Sequence, residues 1–273
     1  MFHRHHKTDT QKRHALTLAE MLVAMAVLGI MVAGLGTMVT TVHESNDFVR
    51  REGNALQHAR IAIERIERTC RSASATADYP GFWVVSTTIG SYSFPDALVV
   101  WRPESGEPAN ADGPPLLSEL VVYTFDADAP ETLVEITAPS AVGNAPAISD
   151  TSSWLTLIDT AKASDAVEKI ELTNLLRVAN AGVGDADWRG VVRFDIRYHP
   201  TTDQWTSYQT GALAWDELTW PLDRYGSDYG VRQSWCAMEL QLVPDGETRR
   251  GAESEENAIA FFGSATLNYT LEP

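Results

Sequence analysis

Residues 12–42 read KRHALTLAEMLVAMAVLGIMVAGLGTMVTTV, and this stretch decides the fold of the chain. Residues 21–42 are 22 consecutive positions without an acidic or basic side chain. An α-helix rises about 1.5 Å per residue, so a helix of this length spans the roughly 30 Å hydrocarbon core of a bilayer. The sequence therefore predicts a membrane-spanning helix near the N-terminus.

The charges around the apolar stretch are arranged asymmetrically. Basic residues precede it and end at Arg13, whereas a single acid, Glu20, lies at its beginning. A carboxylate at the edge of an apolar span is costly to desolvate unless a cation meets it, so Glu20 is a candidate functional residue. A basic flank before an apolar span predicts that this flank stays in the cytoplasm and that the rest of the chain is exported.

The order of these features resembles the N-terminal signature of type IV pilins and type II secretion pseudopilins. The matching features are a basic leader over residues 1–15, the small residue Ala15, the apolar Leu16 and the acid Glu20 at the fifth position from Leu16. The resemblance implies that a prepilin peptidase cuts after Ala15 and that Leu16 becomes an N-methylated N-terminus. It also implies that Glu20 meets the cationic N-terminus of a neighbouring subunit during assembly.

Two other interpretations of the N-terminus remain beside this one. An ordinary signal peptide has an apolar core of about 7 to 15 residues before a small-x-small cleavage site. Here the apolar run is longer, and the best such site is formed by Gly34 and Gly36. A plain single-pass anchor accounts for the length of the run but gives no reason for an acid at position 20. The pilin-like interpretation is therefore preferred.

The rest of the chain has the size and charge of an exported acidic domain. The chain has 273 residues and a formal net charge of −16, although its leader holds four basic residues and one acidic residue. About 200 residues follow the apolar span, enough to bury one sizeable core. The acidity argues against nucleic-acid binding, which needs clustered Lys and Arg. The leader histidines His3, His5 and His6 are interpreted as solvated residues and not as a metal site.

Beyond the apolar span the residues keep helical spacing while the composition becomes polar. Five residues recur at steps of three and four and predict one apolar stripe: Leu56, Ala59, Ile63, Ile66 and Cys70. We therefore expect one helix from about Leu16 to near Ser72, with residues 16–42 in the membrane and residues 43–75 forming an exposed amphipathic half.

Residues 76–273 predict a β-rich domain outside the membrane. Short runs of Val, Thr and aromatic residues are separated by turn residues and predict strands at 82–88, 97–102, 118–126, 132–137, 191–199, 234–243 and 259–269. The first four are expected to form an antiparallel meander. Residues 164–179 predict a helix, with a strand as the alternative, and residues 201–205 predict a turn. The fold class is thus α+β, pilin-like, with a long N-terminal helix packed on antiparallel β-sheets.

The chain has two cysteines, Cys70 and Cys236. Cys70 lies on the apolar stripe of the predicted helix, and Cys236 lies on the apolar face of the strand at 234–243. Both side chains are therefore expected to enter the same core between helix and sheet. Export permits one disulfide between them, and two buried free thiols are the alternative.

No catalytic motif is present in the sequence, so we expect a protein that is not an enzyme and that needs no cofactor. Three candidates for a calcium site are the acid pair Asp126 and Asp128, the acid pair Asp185 and Asp187, and the loop at 223–230. Their spacing fits no defined calcium loop, and solvated turns are preferred. Seven aromatic residues offer either a binding surface or core packing, with core packing preferred: Trp205, Tyr208, Trp215, Trp220, Tyr225, Tyr229 and Trp235.

The order of residues after Gly190 also resembles, more loosely, the C-terminal half of J-type minor pseudopilins and W-type minor pilins. The match is carried by spaced aromatic residues and by Pro221. The resemblance implies a structural minor subunit of a type II secretion pseudopilus or type IV pilus, with other pilin-like subunits, the prepilin peptidase and the inner membrane as partners. Its large domain would be periplasmic. The rival hypothesis is a membrane-anchored, lectin-like binding module that uses its Trp-rich surface.

Overall fold

The computed structural model describes residues 17–110, 113–182, 188–251 and 253–273. The chain divides into two compact units, with the boundary between Arg50 and Arg51. Four residues of the predicted sites lie outside the described residues: Ala15, Leu16, Asp185 and Asp187.

Helix α1 is Leu18–Arg71, which confirms the long N-terminal helix. In the first unit every described residue is exposed, and the most apolar window of α1 contains no buried residue. The helix is long and apolar enough to cross a membrane.

The first sheet of the second unit is a five-stranded antiparallel meander with the strand order β1-β2-β3-β4-β5. Its strands are β1 Phe82–Ile89, β2 Tyr92–Trp101, β3 Leu120–Phe125, β4 Leu133–Thr137 and β5 Glu168–Thr173. The predicted meander of four strands is thus confirmed and gains a fifth strand at one edge. All six residues of β3 are buried, so the centre of this sheet is covered on both faces.

The second face of this sheet is covered by a helix that the sequence analysis missed. Helix α2, Thr151–Ala163, begins after the N-cap Asp150, whose side chain accepts a hydrogen bond from the Ser153 N–H. Trp154 of α2 is fully buried and meets the Trp83 ring edge to face, with 5.0 Å between the ring centroids. The helix predicted at 164–179 is wrong and the alternative of a strand is confirmed, because residues 168–173 pair with β4 as strand β5.

The second sheet has three strands in the order β10-β9-β8. These strands are β8 Val192–His199, β9 Gly230–Leu242 and β10 Ile259–Leu271. Strands β6 Val178–Asn180 and β7 Trp188–Gly190 form a separate pair. Strand β10 runs through Gly263 without a break, where a Cβ would collide with Ile63 of α1. Two short helices complete the fold, α3 Thr202–Gln209 and α4 Glu253–Glu256.

Helix α3 replaces the turn predicted at residues 201–205. Thr201 is its N-cap and accepts a hydrogen bond from the Gln204 N–H, while the Gln204 side chain accepts one from the Thr201 N–H. This reciprocal pair is a capping box, which satisfies two backbone donors and starts a helix where the composition alone indicated a turn.

The main core lies between the second half of α1 and the inner faces of the two larger sheets. The apolar stripe of α1 differs from the predicted one, because Leu56 is 57 % exposed and Ile63 is only partly buried. The fully buried residues of the stripe are Ala55, Ala59, Ala62, Ile66 and Cys70. Helical spacing was predicted correctly, but the buried face is rotated toward three alanines.

One ion pair between a buried carboxylate and a partly exposed arginine fixes this helix against the five-stranded sheet. Arg65 Nε and Nη2 each donate to a different carboxylate oxygen of Glu135, both at 2.8 Å, and the Glu135 side chain is 2 % exposed. The Tyr123 hydroxyl lies 3.0 Å from the same carboxylate and 2.7 Å from Thr69 Oγ1. Burial raises the pKa of Glu135, but the hydrogen bonds from Arg65 and Tyr123 outweigh it and hold the pKa below its ordinary value.

We predict that Glu135→Gln lowers the free energy of unfolding by about 2 kcal/mol at neutral pH, because a charge-assisted pair becomes a neutral contact and Arg65 remains partly solvated. The folded-state pKa of Glu135 is lowered, so its contribution is complete above the unfolded pKa of about 4.3 and is lost as the pH falls through the folded value. The difference between wild type and variant should therefore shrink in acid. Urea denaturation of the full chain in detergent at several pH values measures it.

Glu64→Gln is the matched control, because Glu64 pairs with Arg60 on the exposed face of the same helix. Exposed pairs contribute little, so the urea midpoint should stay unchanged. A Glu135→Gln midpoint that equals wild type at neutral pH would contradict the role given to the buried pair.

Candidate functional site

The candidate site at the N-terminus is built by the first turn of α1. Glu20 Oε2 accepts hydrogen bonds from the backbone N–H of Thr17, at 2.9 Å, and from Thr17 Oγ1, at 3.0 Å. The Glu20 N–H donates in return to Thr17 Oγ1 at 3.3 Å. Thr17 and Glu20 thus form a capping box, in which a Thr and the acid three residues later satisfy each other's backbone donors.

This local role of Glu20 was missed in the sequence, although its signal was present. The order T-x-x-E before an apolar run is the capping-box pattern, and residues 17–20 read TLAE. The capping contacts place the carboxylate at the N-terminal end of the helix, where the helix dipole favours a negative charge. The predicted processing residue Leu16 directly precedes Thr17, so the carboxylate lies close along the chain to the predicted new N-terminus.

The apolar side chains that follow Glu20 are exposed on every side of the helix. They include Met21, 56 % exposed, and Met31, 62 % exposed. Monomeric soluble proteins rarely expose an apolar surface of this extent. This part of the helix therefore requires lipid or other helices around it.

The two cysteines lie in the same core, as expected. Cys70 and Cys236 are both 0 % exposed and both belong to the core between α1 and the sheets. The structure has them as free thiols. Burial raises the pKa of the Cys70 thiol well above its ordinary value, and it raises the pKa of the Cys236 thiol to about 12. Their pairing as a disulfide stays a prediction.

The acid pair at Asp126 and Asp128 forms a turn. Asp126 Oδ1 accepts from the backbone N–H groups of Asp128 and Ala129, at 2.9 and 3.2 Å, and Lys169 Nζ lies 3.7 Å from Asp126 Oδ2. The loop at 223–230 is closed by a hydrogen bond from the Gly226 N–H to the Tyr229 carbonyl. Within the described ranges no group of three or more His, Cys, Asp or Glu side chains is arranged to hold a metal ion.

Most of the seven aromatic residues pack on one another. Trp205 and Trp220 are 6 % and 5 % exposed, and Trp215 lies between them, with its ring centroid 4.5 Å from that of Trp220. These rings form a separate small core together with Leu218 and Leu271, partly covered by Tyr208 and Tyr225. Tyr229 is 45 % exposed, and Trp235 stacks under the Arg197 guanidinium instead. Core packing is therefore confirmed for the central members.

Comparison with known proteins agrees with the N-terminal geometry. Residues 10–36 match the family model of the prokaryotic N-terminal methylation motif, and this range contains Ala15, Leu16 and Glu20. No curated protein and no solved structure gives a significant match to the chain. The long helix begins inside the matched range and continues into the core of the β-rich unit. The chain therefore carries the N-terminal methylation signature of type IV pilins and pseudopilins, followed by a pilin-like α+β fold.

Proposed function

We propose that this chain is a structural subunit of a pilin-like assembly, a type II secretion pseudopilus or a type IV pilus. The methylation motif followed directly by an exposed apolar helix is the observation that carries the proposal. In this proposal the prepilin peptidase removes residues 1–15 and Leu16 becomes the methylated N-terminus. The apolar half of α1 anchors the chain in the inner membrane, with the β-rich unit in the periplasm.

Assembly with other pilin-like subunits follows from the chemistry of the same helix. Apolar side chains that lipid solvates in the membrane can instead pack against the corresponding helices of neighbouring subunits. The Glu20 carboxylate would then meet the cationic N-terminus of a neighbour, because an acid inside an apolar assembly is stabilised by an opposite charge. The length of the chain and the spaced aromatic residues near Pro221 favour a minor subunit over the repeated major one.

We propose a structural role and not an enzymatic one, since the features that carry the proposal are a processing motif and a packing surface. The rival lectin-like module needs aromatic rings that are free to stack on a sugar. Trp205 and Trp220 instead bury their faces against neighbouring rings. The aromatic residues therefore support the structural role.

We predict that the mature protein from native membranes begins at Leu16 and carries one added methyl group. Intact-mass measurement of the purified chain, from cells with and without the prepilin peptidase, tests this. Without the peptidase the mass should return to that of the full chain. A mature protein that begins at Met1, or one that begins near Thr37, would contradict the pilin-like pathway.

We also predict that Glu20→Gln strongly reduces incorporation into the assembly while membrane insertion and cleavage continue. The Gln side-chain oxygen can still accept the two hydrogen bonds from Thr17, so the capping contact is kept and only the charge is removed. Loss of an ion pair from an apolar environment should reduce incorporation roughly tenfold or more. Co-purification with the other subunits measures the effect.

Glu44→Gln is the control, since Glu44 is an exposed acid of the same helix beyond the apolar span. It should leave incorporation unchanged. Glu20→Leu removes both the charge and the capping contact. If Glu20→Leu fails to assemble while Glu20→Gln assembles normally, Glu20 acts only as a helix cap and its charge has no role.

A further inference from the structure

A pocket of about 840 Å³ opens in the second unit beside helix α3. Several parts of the chain line it: the segment after α1, the loop between β2 and β3, the loop before α2, helix α3, and strands β8 and β9. The lining residues that matter here are Asp78, Tyr79, Tyr198, Trp205, Gln209 and Arg232. No part of the proposed assembly function uses this pocket.

Arg232 is the unusual residue of the pocket, because its side chain is charged and the residue is only 3 % exposed. Its guanidinium carbon lies 5.1 Å from the Trp205 ring centroid and 5.6 Å from that of Tyr198. Nη1 donates one hydrogen bond, 3.1 Å long, to the Ala77 carbonyl, and Nε is buried without an acceptor. Two aromatic rings and one carbonyl thus contact the guanidinium, and the hydroxyl of Tyr269 on β10 also interacts with Arg232. All of these groups are uncharged.

Arg232 also lacks a counter-ion. Among the residues that the structure describes, no carboxylate lies within ion-pair distance of its guanidinium. Buried charges in proteins are normally paired or bound to a ligand of opposite charge. An arginine buried to this degree with hydrogen-bond donors to spare is therefore a candidate anion receptor.

Two other partly buried arginines of the molecule are each neutralised by a buried acid. Arg65 forms two hydrogen bonds with Glu135, and Arg189 Nη1 donates to Asp96 Oδ2 at 2.6 Å. Both acids are themselves buried, at 2 % and 4 % exposure of the residue. The fold thus supplies a buried carboxylate to each of these arginines but supplies none to Arg232, which lines an open pocket instead.

We propose that the pocket binds a carboxylate group, with Arg232 as its receptor. Arginine forms strong, directional hydrogen bonds with carboxylates, and aromatic stacking pre-organises the guanidinium for them. Asp78 lines the same pocket and its carboxylate accepts from Gln209 Nε2 at 3.5 Å. The negative charge of Asp78 repels a phosphate dianion more strongly than a singly charged carboxylate, so a carboxylate fits the pocket best. The carboxylate belongs either to a small organic acid or to an acidic side chain of a partner protein.

The direct test measures the binding of acetate to the full-length chain in detergent. Saturation-transfer NMR of the acetate methyl protons detects the binding. We expect a saturable signal that a peptide with one glutamate and blocked ends displaces, while the matching glutamine peptide does not. A glutamate peptide that binds more than about tenfold tighter than acetate indicates a protein partner, and equal binding indicates a small acid. Inorganic phosphate should compete poorly.

Arg232→Gln should weaken acetate binding roughly tenfold or more, since it removes the charge-assisted contact. Arg197→Gln is the matched control, because Arg197 is an arginine of the neighbouring strand that is exposed and paired with Asp195. It should bind acetate as wild type does. Near-ultraviolet circular dichroism of the Trp and Tyr signals verifies that each variant is folded.

Thr206→Glu is the second variant and keeps the test decisive if Arg232→Gln does not fold. Thr206 is an exposed residue of α3 that lines the pocket, so a glutamate there places a competing carboxylate beside Arg232 without altering the arginine. Acetate binding should fall again. No saturable acetate signal with wild type, unchanged binding in a folded Arg232→Gln variant, or equal competition by phosphate would each overturn the proposal.

Discussion

The close packing of the second half of α1 against the two larger sheets is the contact on which the rest of the structure depends. Ala55, Ala59 and Ala62 are fully buried, and their small side chains let the helix backbone approach the strands. Gly263 of β10 contributes from the other side, because a Cβ there would collide with Ile63. Close approach removes apolar surface from water along the whole contact.

This packing determines which polar groups are buried. The Arg65–Glu135 pair and the Tyr123 hydroxyl lie where the helix crosses the five-stranded sheet, and each needs the others for its hydrogen bonds. A buried pair of this kind contributes little net stability compared with apolar residues, but a single broken partner is costly. The pair therefore favours one rotation of the helix about its axis. That rotation is the one that buries the three alanines and exposes Leu56.

Sequence reasoning predicted the features that local patterns determine. The apolar span, the long helix, most strands and the alternation in β8 and β9 all follow from periodicity. The rotation of the buried stripe of α1 does not follow from periodicity, because Ala55 and Ala62 are weakly hydrophobic whereas Leu56 is strongly hydrophobic. Close packing of the helix against the strands favours small residues at the contact, even though larger residues are more hydrophobic.

The other misses have different physical causes. Helix α2 begins in a stretch rich in Ser and Thr, which resembles a loop until Asp150 is recognised as an N-cap with Trp154 and Ile158 one turn apart. The apolar spacing of residues 164–179 is ambiguous, so a helix was favoured over the alternative of a strand, and pairing with β4 decided the structure of β5. The isolated Arg232 was beyond sequence reasoning, since its burial depends on Trp205 and Tyr198 from two other elements.

The cysteines illustrate how the same packing controls chemistry. A thiol attacks a disulfide or an oxidant as its thiolate, and burial of Cys70 and Cys236 raises both pKa values, so that very little thiolate is present at neutral pH. Oxidation is therefore fast only before this core closes. A Cys70–Cys236 disulfide, where it forms, is therefore expected to form while the chain folds.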